Sequence, residues 1–377
     1  MIPSNPTRAR YVMIGGFLGS GKTTCVAKLA EQLTAQGLKV GLITNDQGSE
    51  LVDTAMLRAR GFATEEISGG CFCCRFNSLV DAANNLTAAS RPDVFVAEPV
   101  GSCTDLVATV TYPLRRIYGE GFAIAPLSVL LDPIRAQRIF GLAEGGRFSE
   151  KVLYIYRKQL EEADIIVINK RELLDEASLS LLIDKIAADF PKAEIRAVSA
   201  RLGLGMDEWF ARLAGAEQAG GEAMEVDYEV YAEGEALLGW LNCTLALDAP
   251  EVFDGNGLLQ SIAQRMQAYL NARQVEVAHL KMTLSPNEGL NDIAVVNVVR
   301  NDFVPELSLE LPDEIGSGQL IINCRAEAAP DTLLAAVHQA VAEIAVLFPG
   351  LSLQLEHSEH FRPGKPQPTH RVVSMPD

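Results

Sequence analysis

The sequence predicts an α/β protein, a doubly wound and mostly parallel sheet, followed by a smaller α+β domain of ferredoxin-like outline. Three observations carry that prediction. Short apolar, β-branched runs alternate with helical segments through the first two hundred residues, the order that builds parallel sheets. Most of those runs lack polar alternation, as strands covered on both faces do. Beyond a small-residue stretch around Ala214–Glu225, AGAEQAGGEAME, the order of elements changes.

Taken in order, the apolar runs are Tyr11–Ile14, Val40–Ile43, Val94–Ala97, Leu127–Leu131, Ile165–Ile168 and Ile195–Val198. Segments such as Cys25–Gln36 and Leu179–Phe190 between them have helical period. Residues 1–215 are expected to form the first domain and 225–377 the second. In the second, a strand over about Tyr228–Leu247 precedes a helix over Gly257–Ala272 and strands near Val275–Leu284 and Asp292–Val299. A strand at Leu320–Cys324, a helix at Asp331–Phe348 and a strand at Leu351–Glu356 follow, a split βαβ pattern with an extra strand. The tail RPGKPQPTHRVVSMPD is Pro-rich and expected either to wrap the surface or to stay loose.

With 377 residues the chain exceeds one small core, and 48% hydrophobic residues suffice to fill two. Its 32 basic residues stand against 49 acidic ones, a net charge of −17. That balance argues against nucleic acid or an anionic membrane surface as partner. No apolar run reaches membrane-spanning length, and the first residues lack a signal-peptide core. A cytoplasmic location is expected, in which the seven cysteines are reduced thiols.

The segment GGFLGSGKTT, Gly15 to Thr24, follows the first apolar run and leads into a helical stretch. Gly16, Gly21, Lys22 and Thr23 fit G-x-x-x-x-G-K-[ST], the loop whose backbone N–H groups cradle a polyphosphate. Gly16, Gly19, Ser20, Gly21, Lys22, Thr23 and Thr24 are therefore expected to bind nucleotide, with Lys22 on the β- and γ-phosphates and Thr23 on Mg²⁺. The third run ends in AEPVG. Glu98 there is placed to hold Mg²⁺ through water and orient the attacking water, and Gly101 to let the backbone approach the γ-phosphate. Asn169 and Lys170, in INKREL, match the start of the N-K-x-D guanine reader, whose carboxylate bonds a donor pair that adenine lacks. Glu172 stands at the acidic position, one methylene longer than Asp. Ser199 and Ala200 follow the last run as the small S-A loop that packs on guanine. GTP is favoured over ATP.

ISGGCFCCRFN places Cys71, Cys73 and Cys74 in C-x-C-C spacing after two glycines. Thiolates at that spacing can hold one soft or borderline cation, with a fourth ligand from water, Asp46, Glu50 or a second subunit. Buried packing and a redox dithiol are the other readings. Cys25, Cys103, Cys243 and Cys324 are expected to be packing residues, Cys103 with the alternative of facing the nucleotide near Glu98, and His357, His360 and His370 solvated tail residues, with His357 or His360 as an alternative source of one metal ligand.

In order, GGFLGSGKTT, TNDQG, GGCFCC, EPVG, QLEEADIIVINK and SA resemble the CobW-like metallochaperone GTPases, relatives of the HypB and UreG nickel-insertion GTPases of the SIMIBI class. The resemblance covers roughly residues 10–210. It implies a P-loop NTPase fold, GTP/GDP and Mg²⁺ as ligands, and Cys71, Cys73 and Cys74 as ligands of Zn²⁺ (or Co²⁺ or Ni²⁺). Lys22, Glu98 and the acidic switch residue Asp46 become the catalytic candidates. The chain departs from the family in reading Asn45-Asp46-Gln47-Gly48 for Asn-Glu-x-Gly, in Glu172 for Asp, and in lacking a His-rich insertion.

The expected function is GTP-dependent delivery of a divalent metal to a client metalloprotein or cofactor-assembly enzyme, with a homodimer in which Arg75 acts as an arginine finger as one option. Two alternatives stay open. One is a GTPase chaperone for a cofactor (for example corrinoid) enzyme, with thiols that only brace a loop; the other is a nucleotide-bound metal sensor.

Overall fold

A computed structural model describes residues 8–45, 54, 57–58, 60–288 and 292–376. The chain divides into two compact units. Of the described residues, 8–45, 61–231 and 365–376 belong to the first, and 54, 57–58, 60 and 232–364 to the second.

The first unit is a parallel sheet. Its strands are β1 (Ala9–Gly16), β2 (Val40–Asn45), β3 (Ala63–Ile67), β4 (Val94–Glu98), β5 (Phe122–Ile124), β6 (Ser128–Leu131), β7 (Ile165–Ile168) and β8 (Glu194–Ala197). They are ordered β3-β2-β4-β1-β6-β7-β8, with β5 also paired to β1, and every pairing is parallel. The central runs became strands because their side chains are buried on both faces, whereas β8 is half-buried throughout. Every residue of β7, for instance, is at most 1% exposed, and each such aliphatic side chain contributes about 1.5–3 kcal/mol by leaving water. Among the described residues polar β3 (ATEEI) lies at the sheet edge, where the apolar run that marks a central strand is not required.

Helix α1 (Lys22–Ala35) follows β1 and buries Cys25, Val26, Leu29, Ala30 and Leu33, one helical face, against the sheet. Chain order reverses at β1, which lies between β4 and β6. A crevice therefore opens at the carboxyl end of β1, the place where open α/β sheets take ligands. Further helices are α2 (Phe76–Ser90), α3 (Tyr112–Tyr118), α4 (Pro133–Ile139), α5 (Glu150–Glu161), α6 (Glu176–Asp189) and α7 (Met206–Gly215). The described residues contain no helix long and apolar enough to cross a membrane.

The expected strand at Tyr228–Leu247 is corrected. Strand β9 (Gly221–Glu222) is followed by helix α8 (Tyr228–Leu237), and only then by strand β10 (Leu238–Phe253). Asp227 starts the helix by accepting from the N–H groups of Glu229 and Val230. The i, i+3 spacing then directs two phenols the same way: Tyr228 to the Asp105 carboxylate and Tyr231 to the Ser102 carbonyl.

In the second unit, β10, β11 (Val277–Pro286), β12 (Ala294–Val298), β13 (Glu306–Leu309), β14 (Ile315–Glu327) and β15 (Ser352–Phe361) form an antiparallel sheet ordered β13-β12-β11-β14-β10-β15. Helices α9 (Gly255–Asn271) and α10 (Pro330–Leu347) share its core with alternate strand residues Leu241, Cys243, Leu245, Leu247 and Leu320, Ile322, Cys324. Cys243 and Cys324 are packing residues, their thiols pushed up to about 12 by burial. His357 and His360 lie on β15 rather than in the tail, and His360 pairs with Asp331 at 3.2 Å.

The tail returns to the first unit rather than extending the second. Its short strand β16 (Ser374–Met375) pairs antiparallel with β9, and Arg371 forms an ion pair of 2.7 Å with Asp105.

Candidate nucleotide and metal site

The loop after β1 needs its glycines for steric reasons. At Gly16 φ is +130°, and a Cβ would stand 2.3 Å from the Leu130 carbonyl oxygen. At Gly21 φ is +93°, and a Cβ would meet the Asn169 amide at 2.4 Å. Any other residue would push the loop off the sheet. Gly21 caps α1 without a side-chain bond, and the first turn of that helix holds no acidic residue. The helix dipole there is not offset by an acidic side chain, which suits an anion at its N-terminus. Lys22 and Thr23 are buried in that turn at 8% and 4% exposure, while Thr24 is exposed.

Glu98, at the buried end of β4, accepts a 2.9 Å hydrogen bond from Thr23 Oγ1. Gly101 follows so close to the phosphate loop that a Cβ would lie 2.7 Å from Leu18 Cδ2 and 3.0 Å from the Leu18 nitrogen. The Glu98–Gly101 turn and the loop after β1 are therefore in direct contact. Asp46, like Glu50, lies outside the described residues.

On the other flank Asn169 is a strut between three segments. Its Nδ2 donates to the Ser20 carbonyl at 2.9 Å, and its Oδ1 accepts from the Ala200 N–H at 3.1 Å. Lys170, with φ +56°, donates from Nζ to the Gly19 carbonyl at 2.8 Å and pairs with buried Asp132 at 2.9 Å. Ser199 closes the S-A loop by accepting from the Leu202 N–H. Glu172 sits exposed in the short turn Arg171–Leu173. The structure thus gathers Ser20, Asn169 and Ala200 around one amide, a link the motifs imply only by their order. Asp132 was not singled out in the sequence: it caps α4 through the Arg135 N–H and fixes Lys170 at once.

The thiol loop begins at Gly69 and Gly70, both with positive φ. It turns through the N–H groups of Cys74 and Arg75, which donate to the Cys71 carbonyl at 3.0 and 2.9 Å. The Arg75 guanidinium closes the turn onto the Gly69 carbonyl at 3.1 and 3.0 Å. Asn45, at the end of β2, donates to the carbonyls of Ile67 and Gly70 at 2.9 and 2.7 Å, so the loop hangs from the sheet edge beside the nucleotide crevice. The sulfurs of Cys71, Cys73 and Cys74 lie within 4.8 Å of one another, with Cys71 to Cys74 at 3.3 Å and Cys73 to Cys74 at 3.6 Å. Among the described residues this is the single such cluster of Cys, His, Asp or Glu.

Cys103 is buried, as the packing expectation has it, and also adjoins the thiol loop. Its thiol hydrogen-bonds the sulfurs of both Cys71 and Cys73. Hydrogen bonds from Cys103, then from Cys73 and Cys74, hold Cys71 well below the ordinary thiol range. The converse bonds raise Cys73 and push Cys74 up to about 11. The three thiols thus share their hydrogen bonds among themselves, and a bound divalent cation would favour their ionised forms.

The tail wraps onto the first unit, one of the two placements expected of it, but no motif marks its contact with the thiol loop. Gln367 donates its N–H to Cys74 Sγ at 3.2 Å, and Thr369 bonds the carbonyls of Cys73 and Cys74. His370 meets Phe76 edge to face at 5.0 Å. This is not the solvated placement expected for that histidine.

Fold and site define a P-loop nucleotide-binding α/β unit with a thiol cluster at the sheet's carboxyl edge. Residues 10–196 match the model of the CobW/HypB/UreG nucleotide-binding domain. It is 27% identical over 206 residues to "Zinc chaperone CobW" of Sinorhizobium sp., covering 49% of this chain and 57% of the relative. To "Zinc chaperone YjiA" of Escherichia coli K12 it is 26% identical over 171 residues, covering 44% and 50%. The chain spans about half the length of the curated relatives it matches. Among solved structures, HypB from Archaeoglobus fulgidus matches at 26% identity over 55% of this chain and 89% of that one, with a TM-score of 0.39. Zn(II)-bound YjiA GTPase from E. coli matches at 15% identity, covering 88% and 98%, with a TM-score of 0.35.

Proposed function

We propose that this chain is a GTP-hydrolysing metallochaperone that binds a divalent transition metal on its thiol loop and passes it to a client protein. The observation that carries the reading is that one side of the nucleotide crevice and the thiol loop share supports. Asn45 ties the loop to the end of β2, and β2 is paired with β4, which ends in Glu98. A change in the γ-phosphate is then felt at the sulfurs through two adjacent strand ends.

In this reading Lys22 neutralises the β- and γ-phosphates, and Asn169, Lys170, Ser199 and Ala200 form the base pocket, with Glu172 reading guanine. Thr23 and Glu98 fit a Mg²⁺ site, since a hydroxyl and a buried carboxylate converge there; the ion would supply charge neutralisation between the phosphates. Glu98 and Asp46 are the acidic residues proposed to orient the attacking water. Zinc is the proposed cargo, because clustered thiolates suit it and it accepts four such ligands without geometric strain; Co²⁺ and Ni²⁺ are its chemical competitors. The relatives named zinc chaperones support that choice.

Chelator competition for Zn²⁺, with Mg²⁺ and either a non-hydrolysable GTP analogue or GDP, tests the reading. A difference in affinity between the two states is expected, and reciprocally a shift in nucleotide affinity with zinc. Equal affinities would reduce the thiols to a fixed brace. Absence of binding in both states would leave a GTPase that handles no metal.

A further inference from the structure

The three clustered sulfurs come from one loop, and a tetrahedral ion asks for one ligand more. We infer that Cys103 is that ligand, so that the metal site is a tetrathiolate assembled from two segments, Cys71–Cys74 and the Gly101–Cys103 turn. The inference rests on the metallochaperone reading and deepens it.

The geometry supports it on three counts. Cys103 is 1% exposed and hydrogen-bonds Cys71 and Cys73, so it adjoins the three sulfurs that lie within 4.8 Å of one another. Its backbone is fixed independently of the cluster. The Cys103 N–H donates to the Val100 carbonyl at 2.9 Å, and Gln159 Nε2 donates to the carbonyls of Gly101 and Cys103 at 2.9 and 2.8 Å. Two residues on, Asp105 is held in a left-handed conformation, φ +64°, by Tyr228 and the tail's Arg371. A thiol pinned on both sides against a second thiol loop is preorganised to close on an ion.

Its position in the chain gives the ligand a function. Cys71, Cys73 and Cys74 stay together as one chelating loop, whereas Cys103 belongs to the turn that carries Glu98 and Gly101. Movement of that turn with the γ-phosphate would add or withdraw one sulfur. A site with four thiolates is closed and holds its ion. Withdrawal of Cys103 opens one coordination position, through which a client thiolate or imidazole takes hold by ligand exchange, each incoming ligand replacing one sulfur. No redox step is needed.

The test is zinc K-edge X-ray absorption on the full chain loaded with one equivalent of Zn²⁺, with a GTP analogue and with GDP, beside Co²⁺ charge-transfer spectra of the wild type, Cys103→Ser and Cys73→Ser. The wild type should show four sulfur neighbours in one nucleotide state and three in the other. Cys103→Ser should lose one sulfur's share of the Co²⁺–thiolate intensity, bind Zn²⁺ at least about 10-fold more weakly, and bind it equally in both nucleotide states. Three sulfurs with one nitrogen or oxygen in the wild type in both states would overturn the inference while leaving the metal reading intact. So would a Cys103→Ser protein with unchanged spectrum and affinity. Four sulfurs in both states would uphold the ligand and overturn its nucleotide gating. Failure of the wild type to bind zinc would overturn the metal reading and the inference together. The absorption measurement needs no variant, so a poorly folded Cys103→Ser does not weaken the test.

Discussion

Asn169→Ala removes the amide that holds the phosphate loop and the S-A loop together. Two backbone groups lose their partner: the Ser20 carbonyl, bonded at 2.9 Å, and the Ala200 N–H, bonded at 3.1 Å. Ser20 and Ala200 are 1% and 3% exposed, so water does not replace the bonds without the loops parting. An unsatisfied buried group costs about 1–3 kcal/mol, hence about 2–6 kcal/mol for the pair. The loss falls on the first unit, which can be followed separately. The chain has two tryptophans, and in a Trp240→Phe background Trp209, buried and bonded to Ser128 Oγ, reports on that unit alone. Urea unfolding followed by its fluorescence should show the loss, and GDP affinity should fall at least about 10-fold as the loop loses its preorganised form. Asn169→Asp should do no better, since it keeps the acceptor for Ala200 but faces the Ser20 carbonyl with a charged oxygen. A loss under about 1 kcal/mol together with unchanged GDP affinity would refute the strut argument.

Glu162 gives a pH prediction. Burial, as the main cause, raises its carboxyl to about 8 from an ordinary 4.5, so the folded state holds a proton that the unfolded state releases. Its contribution is fully present below about pH 4.5 and is lost as pH rises through about 8; Glu162→Gln, which mimics the protonated form, should flatten urea stability across that window. Arg371→Ala should lower the melting temperature by the equivalent of about 1–3 kcal/mol, because buried Asp105 loses its ion pair. Adding Asp105→Asn should recover part of the loss in a double-mutant cycle, since Asn tolerates the left-handed backbone. Lys22→Ala should reduce the kcat of GTP hydrolysis about 10²–10³-fold while leaving nucleotide-free zinc affinity unchanged, checked by phosphate release and chelator competition.

Much of the first unit is legible in the chain because its elements are self-announcing. A strand buried on both faces must be apolar throughout, and a loop that wraps phosphate must supply glycines at fixed spacing. The edge strand Ala63–Ile67 and the short Phe122–Ile124 escaped because neither carries a long apolar run. Tyr228–Leu237 misled the reading because its apolar residues also fit a strand; Asp227 and the two tyrosine contacts settle it as a helix.

By itself the sequence determined the glycine-rich loop after β1, the three-thiol loop and the order of the segments around Asn169 and Ser199, since each lies within a few consecutive residues whose chemistry is local. Tertiary structure decided that Cys103 joins a cluster about thirty residues earlier, and that the tail donates to Cys74 across 293 residues of chain. Those contacts depend on how β2 and β4 set their ends side by side and on where the last residues return. Local propensity does not encode a meeting between segments this far apart; only the packing of the whole unit brings the sulfurs together.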